Sequence, residues 1–151
     1  MPTIEEEIQQ SAFESPYHRV QVNVIYTAAW INNQTVTALR PFGLSLQQFN
    51  ILRILRGRGQ EPSSVKLLTE RMIDKMSNAS RLVDKLQEKG LVERRSCPSD
   101  RRRVDIVINE EGLELLGRAS AAVEAGREAT YVNLSPAEAD QLSSLLDKLR
   151  G

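Results

Sequence analysis

Five arginines, Arg94, Arg95, Arg101, Arg102 and Arg103, fall within ten consecutive residues. A guanidinium keeps its charge and presents a planar fork of donors that matches phosphate oxygens or the edge of guanine. This is binding chemistry. Bond-breaking groups are scarce: one histidine, His18, and one cysteine, Cys97, stand about 80 residues apart, and no glycine-rich phosphate loop or metal-ligand spacing accompanies them. No enzymatic centre, metal site or cofactor is expected. A single cysteine also rules out an internal disulfide and a thiolate zinc site, which suits a reducing cytoplasm.

The 151 residues carry 20 basic and 20 acidic side chains, so the net charge of zero predicts no affinity for a polyanion. The sum hides a gradient. Residues 53–103 hold fourteen basic and seven acidic side chains, whereas 1–52 hold two and four, and 104–151 hold four and nine. A basic middle between acidic ends lets one face attract a polyanion while the molecule stays neutral. With 40% hydrophobic and 26% charged residues the composition is that of a single globular subunit. The apolar runs are far shorter than the roughly 20 residues a bilayer span needs. Glu5, Glu6 and Glu7 stand where an export signal would carry basic residues.

The arginines need elements to aim them. Apolar residues at Tyr17, Val20, Val24, Ala28 and Ile31 predict an amphipathic helix to about Leu39, and Val22, Ile25, Ala29, Trp30 and Val36 make it apolar on more than one side, which implies a second partner. Ser45 with Gln48 opens a second helix, which Gly57 and Gly59 stop. Ser63 or Ser64 caps a short third helix, a turn over 73–75 follows, and a fourth helix runs to Gly90. The period then changes. Leu91 to Ser96 is strand-like, Val104, Ile106 and Ile108 mark a half-buried strand, and Cys97 to Arg102 form the polar loop between them. Asn109 caps a long helix to about Val132, and Ser135, Pro136 and Glu138 mark a last one with a stripe of Ala139, Leu142, Leu145, Leu146 and Leu149. The expected fold is mainly α with a small β-wing: a winged helix-turn-helix over 45–108, flanked by helical regions 1–40 and 109–151 within one subunit.

On a wheel of roughly 100° per residue, Ala79, Leu82, Val83 and Leu86 of the fourth helix share the core-facing arc. Ser77 and Arg81 lie opposite, with Asn78 and Lys85 on a flank. Ser77, Asn78 and Arg81 fall in the first two turns, the part of a recognition helix that reaches base edges; Arg81 suits guanine, and Asn78 suits adenine or a phosphate. Asp84 and Glu88 share the outer face further along, which implies that this half of the helix tilts away from phosphates. In the hairpin, arginines suit a narrow, electronegative minor groove. Asp100 is expected to brace Arg102 as a bidentate pair, leaving Arg101 exposed at the tip.

These stretches resemble the MarR family of bacterial regulators. The likeness lies in SNASRLVDKLQEKGLVERR (Ser77–Arg95), similar to the family's recognition helix and strand, and in SDRRRVDIVINEEG (Ser99–Gly112), similar to its Asp-Arg-Arg wing. The resemblance implies a cytoplasmic, nucleoid-associated homodimer that binds pseudo-palindromic double-stranded DNA, often as a repressor released by a small phenolic or other aromatic ligand. It implies that Ser77, Asn78, Ser80 and Arg81 contact the major groove or phosphates and that Asp100, Arg101 and Arg102 build the wing; Lys85, Arg94 and Arg103 are expected from their positions as further DNA contacts. A ligand pocket between the dimerisation helices and the DNA-binding lobe would be lined here by Tyr17, His18, Tyr26 and Trp30, residues that equally suit plain core or interface. Peroxide-sensing members carry a reactive cysteine in the first helix. This chain has none there; Cys97 instead begins the wing, where neighbouring arginines would lower its pKa and oxidation would disturb DNA contact.

Dimerisation also follows from size. A lobe of about 64 residues cannot cover the apolar stripes of the long terminal helices, and pairing them in a twofold interface would bury both while setting two recognition helices about 34 Å apart. The competing reading is a winged helix used for protein or RNA contacts.

Overall fold

A computed structural model describes residues 1–59 and 61–151. Its helices start where short polar side chains satisfy the free amides of a first turn. Thr3 caps α1 (Ile4–Glu7) and Ser15 caps α2 (Pro16–Leu39), which continues into a short 3-10 turn over Arg40–Phe42. Ser45 and Gln48 form a reciprocal capping box at α3 (Leu46–Gly57), each side chain accepting from the other's amide. Ser64 caps α4 (Val65–Arg71), Asn78 caps α5 (Ala79–Glu88), Asn109 caps α6 (Glu110–Tyr131), and Ser135 caps α7 (Pro136–Arg150).

Three antiparallel strands, β1 (Ser63–Ser64), β2 (Val92–Cys97) and β3 (Asp100–Ile108), lie in the order β1-β3-β2. This is the winged helix-turn-helix expected from the sequence, with two corrections near its working end. The hairpin loop is only Pro98–Ser99, and Arg101 to Arg103 belong to β3. The ladder pairs Ser96 with Val104 and then Cys97 with Asp100, so the three arginines form a bulge that β2 leaves unpaired. A period-2 hydrophobic reading cannot see such a strand segment, because nothing in it is apolar. The turn before α5 is longer than expected, spanning 72–78, because Asp74 accepts the Met76 amide on its carboxylate (3.0 Å) and the Ser77 amide on its carbonyl (3.2 Å). Ser77 and Asn78 therefore precede α5 instead of riding on its first turn.

The core gathers Ile51, Leu52 and Leu55 of α3, Leu68 of α4, Val83 and Leu86 of α5, Ile106 of β3 and Leu116 of α6, all essentially inaccessible. At the end of α5, Gly90 adopts φ 72° and lets the amides of Gly90 and Leu91 bond the carbonyls of Gln87 and Leu86. Asn109 fastens α6 to that turn, donating to the Gly90 carbonyl at 2.7 Å while accepting from Gly112. Gly112 has to be glycine there, since a Cβ would lie 2.2 Å from the Leu91 carbonyl oxygen. The α5–β2 junction is thus set by backbone contacts that leave no room for drift.

Outside the lobe, packing is sparse. Helix α2 runs along α6, with Thr130 donating to Gln34 at 2.7 Å. The N-terminal arm folds back on α2: Ile4 is buried, Arg19 pairs with Glu5 at 2.6 Å, and the Tyr26 hydroxyl donates to Glu7 at 2.6 Å. Tyr17, Val20, Val24 and Ile25 of α2 remain exposed, as do Leu142, Leu145 and Leu149 of α7, where only Leu146 is half-buried.

Candidate nucleic-acid interface

The turn and α5 frame an open hollow of about 340 Å³ lined by Gln47, Asp74, Met76, Ser77, Asn78, Arg81, Leu82 and Lys85. Asn78, Arg81 and Lys85, singled out from the sequence, therefore share one surface. Their availability differs. The side-chain oxygen of Asn78 accepts the Arg81 amide at 3.1 Å as the helix cap, which fixes the orientation of its amide group. The Ser77 hydroxyl is enclosed and without a partner among the described residues, which removes it from the accessible surface. Ser80 is exposed on α5 but does not line the hollow. Lys85 pairs with Glu88 at 3.4 Å.

The five clustered arginines divide by partner. Arg94 pairs with Asp84 and donates to Gln87 at 3.1 Å, which makes it a tie between β2 and α5. Arg95 pairs with Glu93 at 3.1 Å, and Arg103 with the buried carboxylate of Asp105 at 2.8 Å. Arg101 and Arg102 have no acidic partner among the described residues. Asp100 does brace Arg102, but through its backbone: the carboxylate accepts the Arg102 amide at 2.9 Å in a local turn and does not hold the guanidinium. The outer carboxylates of α5 are likewise partnered, Asp84 by Arg94 and Glu88 by Lys85, so they need not tilt the helix away from phosphates. Two guanidiniums on a bulge without acidic partners among the described residues, and a hollow at the start of α5 lined in part by Arg81 and Lys85, are cationic features of the lobe.

A sequence model of the MarR family matches residues 42–103, the stretch from the 3-10 turn through the arginine bulge. Over that stretch the chain is similar to the MarR family. Solved structures of similar fold extend the likeness to the flanking helices. Bordetella bronchiseptica BpsR, whose DNA binding is regulated by 6-hydroxynicotinic acid, superposes with a TM-score of 0.79 at 19% identity, covering 92% of this chain and 98% of its own. The organohalide-sensing regulator RdhR, captured with 2,4-dichlorophenol, gives 0.81 at 22% identity, covering 93% and 85%. Wild-type MarR of E. coli in its apo form gives 0.67 at 22%, covering 84% and 94%. Among the described residues, no helix is long and apolar enough to cross a membrane.

The four aromatic residues expected to line a MarR-type ligand pocket do not meet in one cavity of a single protomer. Tyr17 and Trp30 are exposed, Tyr26 is held by Glu7, which raises its phenol pKa, and His18 packs edge-on against Phe13 with ring centroids 5.5 Å apart. The hollow between α2 and α6 is lined instead by Ile31, Gln34, Thr35, Ala38, Val123, Gly126, Arg127, Thr130 and Tyr131, and its 30 Å³ holds about one water. The physical reason is the N-terminal arm, which takes up Tyr26, and the exposure of Tyr17 and Trp30, over which no element packs among the described residues.

The Cys97 thiol is shifted down from its ordinary value, but not by arginines. The Ser99 hydroxyl, 3.1 Å away, contributes most, followed by the backbone amides of Ser99 and Asp100, while the Asp105 charge opposes them. Sequence reasoning missed Gln47 and Met76, which complete the hollow. Gln47 carried a signal, since it lies next to the capping Gln48 on a helix whose apolar stripe excludes it. Met76 carried none, because an apolar residue next to a turn reads as core.

Proposed function

We propose that this chain is a MarR-type, sequence-specific, double-stranded-DNA-binding transcriptional regulator that acts as a homodimer, with 45–108 as the DNA-binding lobe and 1–40 and 109–151 as the dimerisation region. The observation that carries this reading is that one lobe carries both a hollow at the N-terminus of α5, holding Arg81 and Lys85, and a bulge whose Arg101 and Arg102 lack acidic partners among the described residues. In this reading Arg81 enters the major groove and the bulge meets the minor groove or its phosphates. Ser80 and Lys85 meet the backbone, and the winged helix-turn-helix arrangement, with a recognition helix and an arginine-bearing wing, favours duplex DNA over the protein-module and RNA readings. Selection of bound sequences from a random duplex library tests it. A twofold-symmetric site with half-sites about one helical turn apart supports the reading, and a library that returns no enriched duplex overturns it.

Regulation follows the MarR pattern in this proposal: repression relieved by a small aromatic ligand. The effector of BpsR, 6-hydroxynicotinic acid, and the dichlorophenol bound by RdhR support that chemistry. Tyr17 and Trp30, exposed in one protomer, would line a pocket only once a partner's helices cover them. Titration of aromatic acids and phenols into the protein–DNA complex, read as loss of DNA binding, tests this; a flat response across the series overturns it.

A further inference from the structure

We infer that Met76 is a base-reading residue that packs on a thymine methyl group in the major groove beside the base met by Arg81. This rests on the DNA-binding reading and goes beyond it by assigning one side chain to one chemical feature of the operator.

The helix-turn-helix turn treats its apolar residues in opposite ways. Met72 is 1% exposed, whereas Ile73 is 88% and Met76 is 93% exposed. Their exposure is not fraying. The Ile73 amide donates to the Asn50 side chain at 3.0 Å, Asp74 holds the amides of Met76 and Ser77, and Asn78 caps α5 immediately afterwards. The backbone under Met76 is therefore fixed on both sides.

Single exposed apolar side chains are ordinary on protein surfaces, so exposure alone assigns nothing. The surroundings do. Met76 and the partly buried Leu82 form a small apolar spot in a hollow whose rim carries the hydrogen-bond donors of Gln47, Asn78, Arg81 and Lys85. A protein partner bound through apolar burial would require a wider apolar patch. The major groove of DNA, by contrast, presents hydrogen-bonding edges and phosphates throughout and one apolar group, the C5-methyl of thymine. Asp74, in the same rim, repels phosphate and so favours a base edge at this end of the hollow. An unbranched methionine with a polarisable sulfur adapts to a methyl group with little geometric demand.

The experiment uses the full chain and the operator it selects. Each half-site thymine is replaced in turn by deoxyuridine, which removes only the methyl group, and affinity is measured for the unmodified protein, Met76→Ala and Met76→Leu. One thymine per half-site should cost the unmodified protein about fourfold when demethylated, the factor expected for one methyl left unburied. Met76→Ala should lose affinity on the thymine operator and become indifferent to deoxyuridine at that position, while Met76→Leu keeps the discrimination. Methyl discrimination that persists unchanged in Met76→Ala, or no position at which the methyl matters, overturns the assignment while leaving DNA binding intact. Failure to select any duplex would instead remove the DNA-binding reading and this inference with it.

Discussion

The guanidinium of Arg94 pairs with the carboxylate of Asp84, joining the first long strand of the wing to the outer face of α5. A second nitrogen of the same group donates to Gln87, one helical turn further along. The wing and the recognition helix are thus tied by a side-chain brace as well as by the Gly90–Asn109 junction beneath it. Arg94, expected from the sequence to touch DNA, is spent on this tie. Both partners are partly exposed, so the pair contributes no more than about 1 kcal/mol to stability.

For that reason, replacing Arg94 by Gln should leave the salt dependence of DNA binding unchanged. If the dimer neutralises about six to ten phosphates, log affinity falls with log salt at a slope of roughly −5 to −9. Arg94→Gln should lower affinity modestly at every salt concentration, with a parallel line. A slope shallower by about 1 per protomer would show that Arg94 neutralises phosphate after all.

Arg101 and Arg103 are two residues apart and should fail in different assays. Arg101→Ala should weaken DNA binding by about 1 to 3 kcal/mol with little effect on unfolding, since it has no acidic partner among the described residues. Arg103→Ala should act first on the fold. It strips the partner from the Asp105 carboxylate, which is only 6% exposed, and an unpaired buried acceptor costs about 1 to 3 kcal/mol. Urea unfolding alongside DNA titration separates the two. Equal unfolding midpoints for both variants would contradict this division of labour.

The limits of what the sequence discloses follow the range of the interactions. Helix starts were legible because Ser45–Gln48, Asn109 and Ser135–Pro136–Glu138 each complete their cap within a few residues. Strand β1 was not, because two serines offer no alternation and their pairing with Asp105 and Ile106 is about 40 residues away in sequence. The arginine bulge was invisible for a related reason: its register is set by the Ser96–Val104 pair, not by the arginines. The start of α5 was misplaced because Asp74 and Asn78 each offer the backbone a local alternative to helix. The Arg103–Asp105 pair, by contrast, was available to a period-2 argument, since residues two apart share a strand face. The Asp100–Arg102 pairing had the same spacing and lost only because the nearer backbone amide took the carboxylate.

Docking of the N-terminal arm should depend on acid. Glu5 is held down to a pKa of about 2, chiefly by its hydrogen bond to Arg19. A carboxylate depressed in the folded state stabilises fully above its ordinary pKa near 4.5 and loses that contribution as pH falls through about 2. The arm should therefore stay docked at neutral pH and loosen across that acidic window. Carbon-detected NMR titration of the Glu5 carboxyl should give the low midpoint, and Arg19→Ala should return it toward 4.5. A midpoint that ignores the Arg19 substitution would separate the arm from this ion pair.

Helix α7 leaves Leu142, Leu145 and Leu149 exposed and only Leu146 half-buried, while Tyr17, Val20 and Val24 of α2 present a second uncovered stripe. Leaving both in water forfeits roughly 1.5 to 3 kcal/mol for each large side chain that a partner would bury. Sedimentation equilibrium at micromolar concentration should accordingly return twice the 17.0 kDa of one chain. Leu145→Lys should shift the protein toward monomer, because a desolvated ammonium has no acceptor in an apolar seam. The same variant should lose far more DNA affinity than any single phosphate contact supplies, since it separates two half-site readers that otherwise bind as one unit. A monomer that binds the full operator as tightly as the unmodified protein would overturn the twofold arrangement.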